Sequence, residues 1–411
     1  MKCDWEVLVV LINFKVKNFR SFKEEVEFSM EASLDIETYK ESHVKEVEEY
    51  HLLKSAVLFG ANASGKSNFV KALGSLFHLI VVPTKDANEQ LYTNPFFGSS
   101  ENTSYEIEFH KNSKHFIYTI ELNRDEIVFE KLMIDNIVHF DRQRQNFVKI
   151  PQIIENSVNN VRKNQLLLFF AQFQNDSEAI EAYTWFDQDL IFADLQARQL
   201  SILLALKEKL KNTEFKERFL SLLKYADFNI TDIDVLDSLP RSDRGSTLPR
   251  SIWLYIITTH TDEIGNKFKM TMEDESEGTK RFVLIMTEFI LSNRKGGKVV
   301  VFDEFDKSLH IDLSQALLDL MNHQKQKNQF IFTTHEVSLM NHELRKDQIY
   351  FAEKNKNGVT DIYSLFDFVD VATGEFVNYK KDYRNGRYGA IPIISSVIMQ
   401  SILEEEDGKT E

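Results

Sequence analysis

Gly60-Ala61-Asn62-Ala63-Ser64-Gly65-Lys66-Ser67 has the residue types and spacing, G-x-x-x-x-G-K-[ST], of a turn that cradles phosphate. Gly60 and Gly65 permit a tight turn and close approach of backbone to an anion. Successive N–H groups then form a nest at a helix N-terminus. Lys66 is placed to reach the β- and γ-phosphates of a nucleotide, and Ser67 to ligate magnesium. Asn62, Ser64 and Asn68 complete the candidate phosphate-contacting set.

Two later stretches carry complementary chemistry. Val299-Val300-Val301-Phe302-Asp303-Glu304 is an apolar run ending in two carboxylates. Asp303 reads as a magnesium holder acting through water. Glu304 reads as the general base on an attacking water, an effect worth about 100- to 10,000-fold. Phe330-Ile331-Phe332-Thr333-Thr334-His335 is a second apolar run, ending in a histidine. His335 is a candidate catalytic group at the γ-phosphate, because imidazole changes charge near neutral pH. Between them lies Asp306-Lys307-Ser308-Leu309-His310. Asp306 joins the nucleotide-contacting candidates, and His310 either caps this loop or lines an interface. Ser276-Glu277-Gly278-Thr279 precedes an apolar helix over 282–291. It reads either as a helix cap by Ser276 or Thr279 or as a further nucleotide-contacting turn.

These residues need a frame. Ser55–Phe59 reads as a short buried strand and 68–80 as the helix that follows, with Phe69, Leu73, Leu76, Phe77 and Ile80 near one face. Near-continuous apolar runs suit central parallel strands covered on both faces, which offer ligand sites at their carboxyl ends. Alternation in Tyr105–Phe109, Phe116–Leu122 and Ile127–Ile134 predicts an antiparallel meander. Helical patterns dominate about 151–240, notably Ala193–Leu210 and Phe215–Tyr225. Pro240–Pro249 reads as a loop, and strands resume at Ile252–Thr258. The expected fold is α/β: a P-loop nucleotide-binding lobe with a mixed central sheet and an antiparallel meander, plus a helical insertion. The expected bounds are 1–150 for the first half of the lobe, 151–240 for a lid-like insertion, 241–355 for the second half, and 356–411 for a C-terminal appendage with an acidic tail, Glu404–Glu411.

Composition sets limits. With 43% of its 411 residues hydrophobic, the chain can bury one sizeable core or two. No apolar run is long enough for a membrane span, and Met1–Leu11, carrying Asp4 and Glu6, makes a poor signal peptide. That opening stretch extends the first strand or precedes the native start. A single cysteine, Cys3, excludes an intrachain disulfide framework and fits a cytoplasmic setting. The formal charge of −15 argues against a globally basic nucleic-acid binder. Local basic clusters remain: Lys15, Lys17, Arg20 and Lys23, then Lys380, Lys381, Arg384 and Arg387. Tyr379, Tyr383 and Tyr388 interleave the second cluster, which leaves nucleic-acid or partner contact open there.

In order and spacing, the four motifs make the chain resemble the RecF/OLD/SMC-like branch of ABC ATPases. It is most similar to bacterial AAA-type ATP-binding proteins of the abortive-infection and RloA type. Ile12–Phe22, Leu344–Phe351 and Asn385–Pro392 are similar to that group's first strand and turn, late strand and C-terminal box. The resemblance implies ATP and Mg2+ as ligands. It also implies a homodimer or higher oligomer in which Ser276, Gly278 and Thr279 complete the partner's nucleotide site. On that footing a bulky Gly278→Arg is expected to leave the monomer folded while abolishing hydrolysis. OLD-type relatives carry a nuclease domain after the ATPase; the short stretch here implies a separate effector protein, such as a nuclease. The implied function is a sensor or switch in prokaryotic antiviral defence. A DNA-clamping repair ATPase of the RecF kind and a slow-turnover nucleotide-dependent scaffold are the alternatives.

Overall fold

A computed structural model describes residues 9–193, 196–226, 228–236, 251–292, 297–368 and 377–391. The apolar runs form the centre of a six-stranded sheet. Its order is Leu190–Phe192, Val299–Phe302, Gln329–Thr333, Ser55–Phe59, Ile349–Lys354, Thr360–Ser364. The first five strands are parallel and the last is antiparallel. Every residue of Ser55–Phe59, Val299–Phe302 and Gln329–Thr333 is buried. Both faces are covered, so strict period-two polarity is absent and each strand reads as a plain apolar run.

Alternation nevertheless sorts these side chains between two cores. Ala56, Leu58, Val299, Val301 and Ile331 point into one; Val57, Phe59, Val300, Phe302, Phe330 and Phe332 point into the other. The first core is shared with a seven-stranded antiparallel sheet. Its order is Asn146–Lys149, Ile137–Gln143, Ile127–Ile134, Lys114–Leu122, Thr103–Lys111, Val10–Lys17, Val26–Ser29. The helix Lys66–Val81 contributes Phe69, Leu73, Leu76 and Ile80 to this core. The second core is closed by helices Glu277–Ser292 and Ile311–Asn322. The phosphate-loop helix is therefore held between two sheets, which fixes the direction of its N-terminus.

Two of the expected bounds fall inside structural units. The stretch 151–240 is not purely helical. Leu190–Phe192 pairs in parallel with Val299–Val301 at one edge of the central sheet, and Ile230–Val235 pairs with Ile256–Thr261 in a three-stranded sheet. Leu190–Phe192 is only three residues long, too short to show a period in sequence. Its helices Leu167–Phe173 and Ser177–Thr184 join the first core. The bound at 355/356 passes between two strands that pair with each other, Ile349–Lys354 and Thr360–Ser364. Residues 377–391 are no loose appendage either: Tyr383 and Tyr388 lie on Phe351, with ring centroids 5.6 and 5.7 Å away. The strand expected from Ile252 begins at Ile256, after a single 3-10 turn. The Pro240–Pro249 loop, Cys3 and the acidic tail lie outside the described residues.

Candidate nucleotide-binding site

The phosphate loop is built as a left-handed nest. Gly60, Ala63 and Gly65 have φ of 150°, 61° and 119°. At Gly60 an added Cβ would lie 2.5 Å from the Ala352 carbonyl oxygen; at Gly65 it would meet the Thr360 side chain at the same distance. Both positions therefore require glycine on steric as well as torsional grounds. Thr360 Oγ1 donates to the Ser64 carbonyl at 2.8 Å, and Ala61 N donates to the Ala390 carbonyl at 3.2 Å. Ser64 Oγ is buried and has no partner among the described residues. Lys66 Nζ donates to the carbonyls of Gly60 and Ala61 at 2.6 and 2.9 Å and stands 3.3 Å from His335 Nδ1. Burial lowers its pKa to about 8, against the opposing pull of Asp303, Glu304 and Asp306.

The carboxylate side meets the loop directly. Ser67 Oγ donates to Asp303 Oδ1 at 3.2 Å, and Thr333 Oγ1 donates to the same oxygen at 2.6 Å. Thr333 Oγ1 also accepts the Glu304 amide at 2.8 Å. Glu304 has a φ of 49°, a strained conformation for a non-glycine residue that turns its side chain off the strand axis. Its Oε1 lies 3.4 Å from His335 Nε2. Lys66, Ser67, Asp303, Glu304 and His335 thus come together at the carboxyl ends of three neighbouring parallel strands. A hydroxyl beside a carboxylate suits Mg2+, which takes one or two protein oxygens and completes its shell with phosphate and water. The glycine cradle, the orphaned Ser64 hydroxyl and this donor pair fit a magnesium nucleotide. An open cleft of about 1000 Å³ lies over Gly60–Ser64 and His335.

Other candidates are placed differently. Asn68 Nδ2 is bound to Ser21 Oγ at 2.7 Å, so it braces the first turn of the chain against the loop. Asp306 accepts from Thr334 Oγ1 at 2.7 Å; burial raises its pKa against that hydrogen bond. Ser276 is a helix cap: its Oγ accepts the Thr279 amide at 3.0 Å and lies 2.8 Å from Thr279 Oγ1. Neither Ser276, Gly278 nor Thr279 lines the cleft of its own chain. Gly278 is pressed against its own chain, where an added Cβ would lie 2.5 Å from the Ser308 carbonyl oxygen. Gly278→Arg cannot leave the monomer undisturbed, contrary to the expectation above. His310 caps the helix Ile311–Asn322, its Nδ1 accepting from Asp312 N at 3.4 Å.

Each basic cluster is paired with acids in part. Lys15 pairs with Glu106 and Glu27, and Arg387 with Asp382. Tyr379, Tyr383 and Tyr388 are buried core rings and are not available as stacking platforms for bases.

Sequence reading missed two organising residues. Thr333 serves Asp303 and Glu304 together; its signal was its place one residue before Thr334-His335 at a strand end. Arg281 lies on the helix after Ser276. Its Nη2 donates to the carbonyls of Asp303 and Glu304 at 2.9 and 3.0 Å, and its Nε to Phe305 at 3.1 Å. Nothing local announces that role, because the partners are more than twenty residues away.

Residues 55–341, more than two thirds of the chain, match the family described as "AAA domain, putative AbiEii toxin, Type IV TA system". No curated protein sequence matches the chain. Among solved structures, it is similar to the SMC head domain from Thermotoga maritima, with 15% identity over 86% of this chain and 98% of that one and a TM-score of 0.41. It is also similar to an SMC head bound to the C-terminal winged-helix domain of ScpA (13% identity, 86% and 97% covered, TM-score 0.44). A third is an SMC head with an extended coiled coil bound to the C-terminal domain of ScpA, derived from Pyrococcus furiosus (11% identity, 87% and 96% covered, TM-score 0.44).

Proposed function

The chain belongs to this AAA-domain family, and we propose that it is an ABC-type ATPase that hydrolyses Mg-ATP as a homodimer, closing on nucleotide and reopening after turnover. The observation that carries the reading is the linkage of Lys66, His335 and Glu304 in one chain of contacts and of Ser67 and Asp303 in another, the two joined through Thr333. Mg2+, held by Ser67 and Asp303, would neutralise charge on the phosphates. Lys66 and the loop amides bind and orient the triphosphate. Glu304, fixed by the hydrogen bond its backbone N–H donates to Thr333 Oγ1, takes the proton of the attacking water. His335 positions Glu304 from one side and faces Lys66 from the other.

The dimer reading rests on the resemblance of the Ser276–Thr279 turn to one that completes a partner's nucleotide site. No helix among the described residues is long and apolar enough to cross a membrane; the cytoplasmic setting we propose rests on the single cysteine. The defence role draws support from the family match, whose description names AbiEii, a toxin of a toxin–antitoxin system. On this reading the chain is the sensor or switch and a separate effector protein acts.

The test measures phosphate release by the purified chain in Mg2+ and in EDTA, with sedimentation in the presence and absence of ATP. Mg-dependent turnover and an ATP-dependent dimer are expected. Absence of turnover by the wild type would contradict the ATPase reading. Metal-dependent nucleic-acid cleavage by the lone chain would contradict the separate effector.

A further inference from the structure

The geometry points to Arg384 as a terminal-phosphate contact that lets this site tell ATP from ADP. The inference rests on the ATP reading above and assigns a role to the C-terminal segment 377–391, which that reading leaves without one.

The nucleotide cleft has two walls. One is the phosphate loop and His335. The other is formed by Tyr383, Arg384, Ala390 and Ile391, with Lys354 at the strand end between them. The second wall is rigidly attached. Tyr383 Oη donates to the Ala390 carbonyl at 2.7 Å, and Tyr363 Oη to the Tyr388 carbonyl at 2.7 Å. Glu353 Oε1 accepts the Ala390 amide at 3.0 Å, and the Ala390 carbonyl accepts the Ala61 amide at 3.2 Å. One short segment is thus bonded both to the sheet and to the second residue of the phosphate loop. A cation carried on it keeps a fixed relation to the bound phosphates.

The charges of this segment are not equivalent. Arg387 is paired with Asp382 at 3.1 Å, and Lys380 donates to Ser338 Oγ at 2.5 Å. Glu353, the acid in the cleft lining, is occupied by Ala390 N and Tyr363 Oη. Arg384 ends the helix Tyr379–Arg384, is exposed, and lines the cleft. Its acidic neighbour is Glu336, which lies within its electrostatic reach but is engaged by the Ser338 amide at 2.8 Å. Residues 60–64 and His335, the phosphate end, share the cleft with Arg384, and Lys354 is a second exposed cation in its lining. A triphosphate brings more negative charge there than one lysine and one Mg2+ neutralise. A guanidinium remains charged at any working pH and offers a fork that matches phosphate oxygens.

The experiment is titration of wild-type, Arg384→Gln and Arg384→Lys proteins with fluorescent ATP and ADP analogues in Mg2+. The exposed position of Arg384 makes all three foldable, and equal melting temperatures check this. Arg384→Gln should weaken ATP about tenfold or more, as expected for a lost charge-assisted hydrogen bond, and ADP less than about twofold. Arg384→Lys should recover part of the loss. Equal ATP affinity in wild type and Arg384→Gln, or equal losses for ATP and ADP, would overturn the assignment. Failure of the wild type itself to bind ATP would instead overturn the ATP reading on which it stands.

Discussion

Lys66 and His335 meet side chain to side chain, with the lysine Nζ 3.3 Å from the histidine Nδ1. An ammonium only donates, so in the neutral ring Nδ1 is the acceptor and the hydrogen sits on Nε2. That nitrogen faces Glu304 Oε1 at 3.4 Å. The phosphate-loop cation and the proposed base are therefore joined through one imidazole.

A pH dependence follows from Lys66. Burial lowers its pKa to about 8 in the free protein, and a bound polyanion favours the charged form. Below pH 8 the lysine is already charged and ATP affinity is flat. Above pH 8 the free protein must take up a proton to bind, so affinity falls by up to about tenfold per pH unit. Calorimetry at pH 7 to 9.5 in buffers of differing ionisation enthalpy measures both quantities. Affinity independent of pH to 9.5 would refute this account of Lys66.

Arg281 is expected to matter for turnover more than for binding. Its guanidinium holds three consecutive carbonyls, at Asp303, Glu304 and Phe305, and so fixes the turn that aims Glu304. Arg281→Ala should lower kcat about tenfold or more, since hydrogen bonds from a charged donor are the strong ones. Arg281→Lys should rescue it poorly, because a point charge cannot replace a planar fork. Steady-state kinetics beside an ATP-binding titration separates the two effects, and a parental kcat in the alanine variant contradicts it.

Gly278 is predicted to be a stability position. Even Gly278→Ala places a methyl 2.5 Å from the backbone carbonyl of Ser308, in the loop that follows Glu304. Overpacking of this kind costs roughly 1–3 kcal/mol. A lowered midpoint in chemical denaturation is the expected result. An unchanged midpoint would mean that the loop yields without cost.

The phosphate loop was legible because its chemistry is contiguous: two obligatory glycines, a lysine and a serine act within eight residues. The strands ending in Asp303 and Thr333 were legible because burial on both faces leaves an unbroken apolar run. What sequence concealed was contact between distant parts of the same chain. Thr333 gains its meaning only beside Asp303, and Arg281 only once its helix lies against the Glu304 turn. Leu190–Phe192 is too short to declare itself as a strand. The tyrosines at 379, 383 and 388 have the composition of a stacking surface, yet all three are buried in the core, the last two against Phe351. Ser276 shows the opposite limit: its cap is visible in sequence, and what it serves beyond its own helix is not.

The most direct measurement of the central claim compares Glu304→Gln with wild type for Mg-ATP binding and for phosphate release. The amide keeps the shape and the backbone bond to Thr333 but cannot accept the proton of water. Binding should stay within about threefold of wild type while turnover falls about 100-fold or more. Phosphate release by Glu304→Gln at the parental rate would contradict the account, because the residue that the fold brings to His335 and Asp303 would then not be the base.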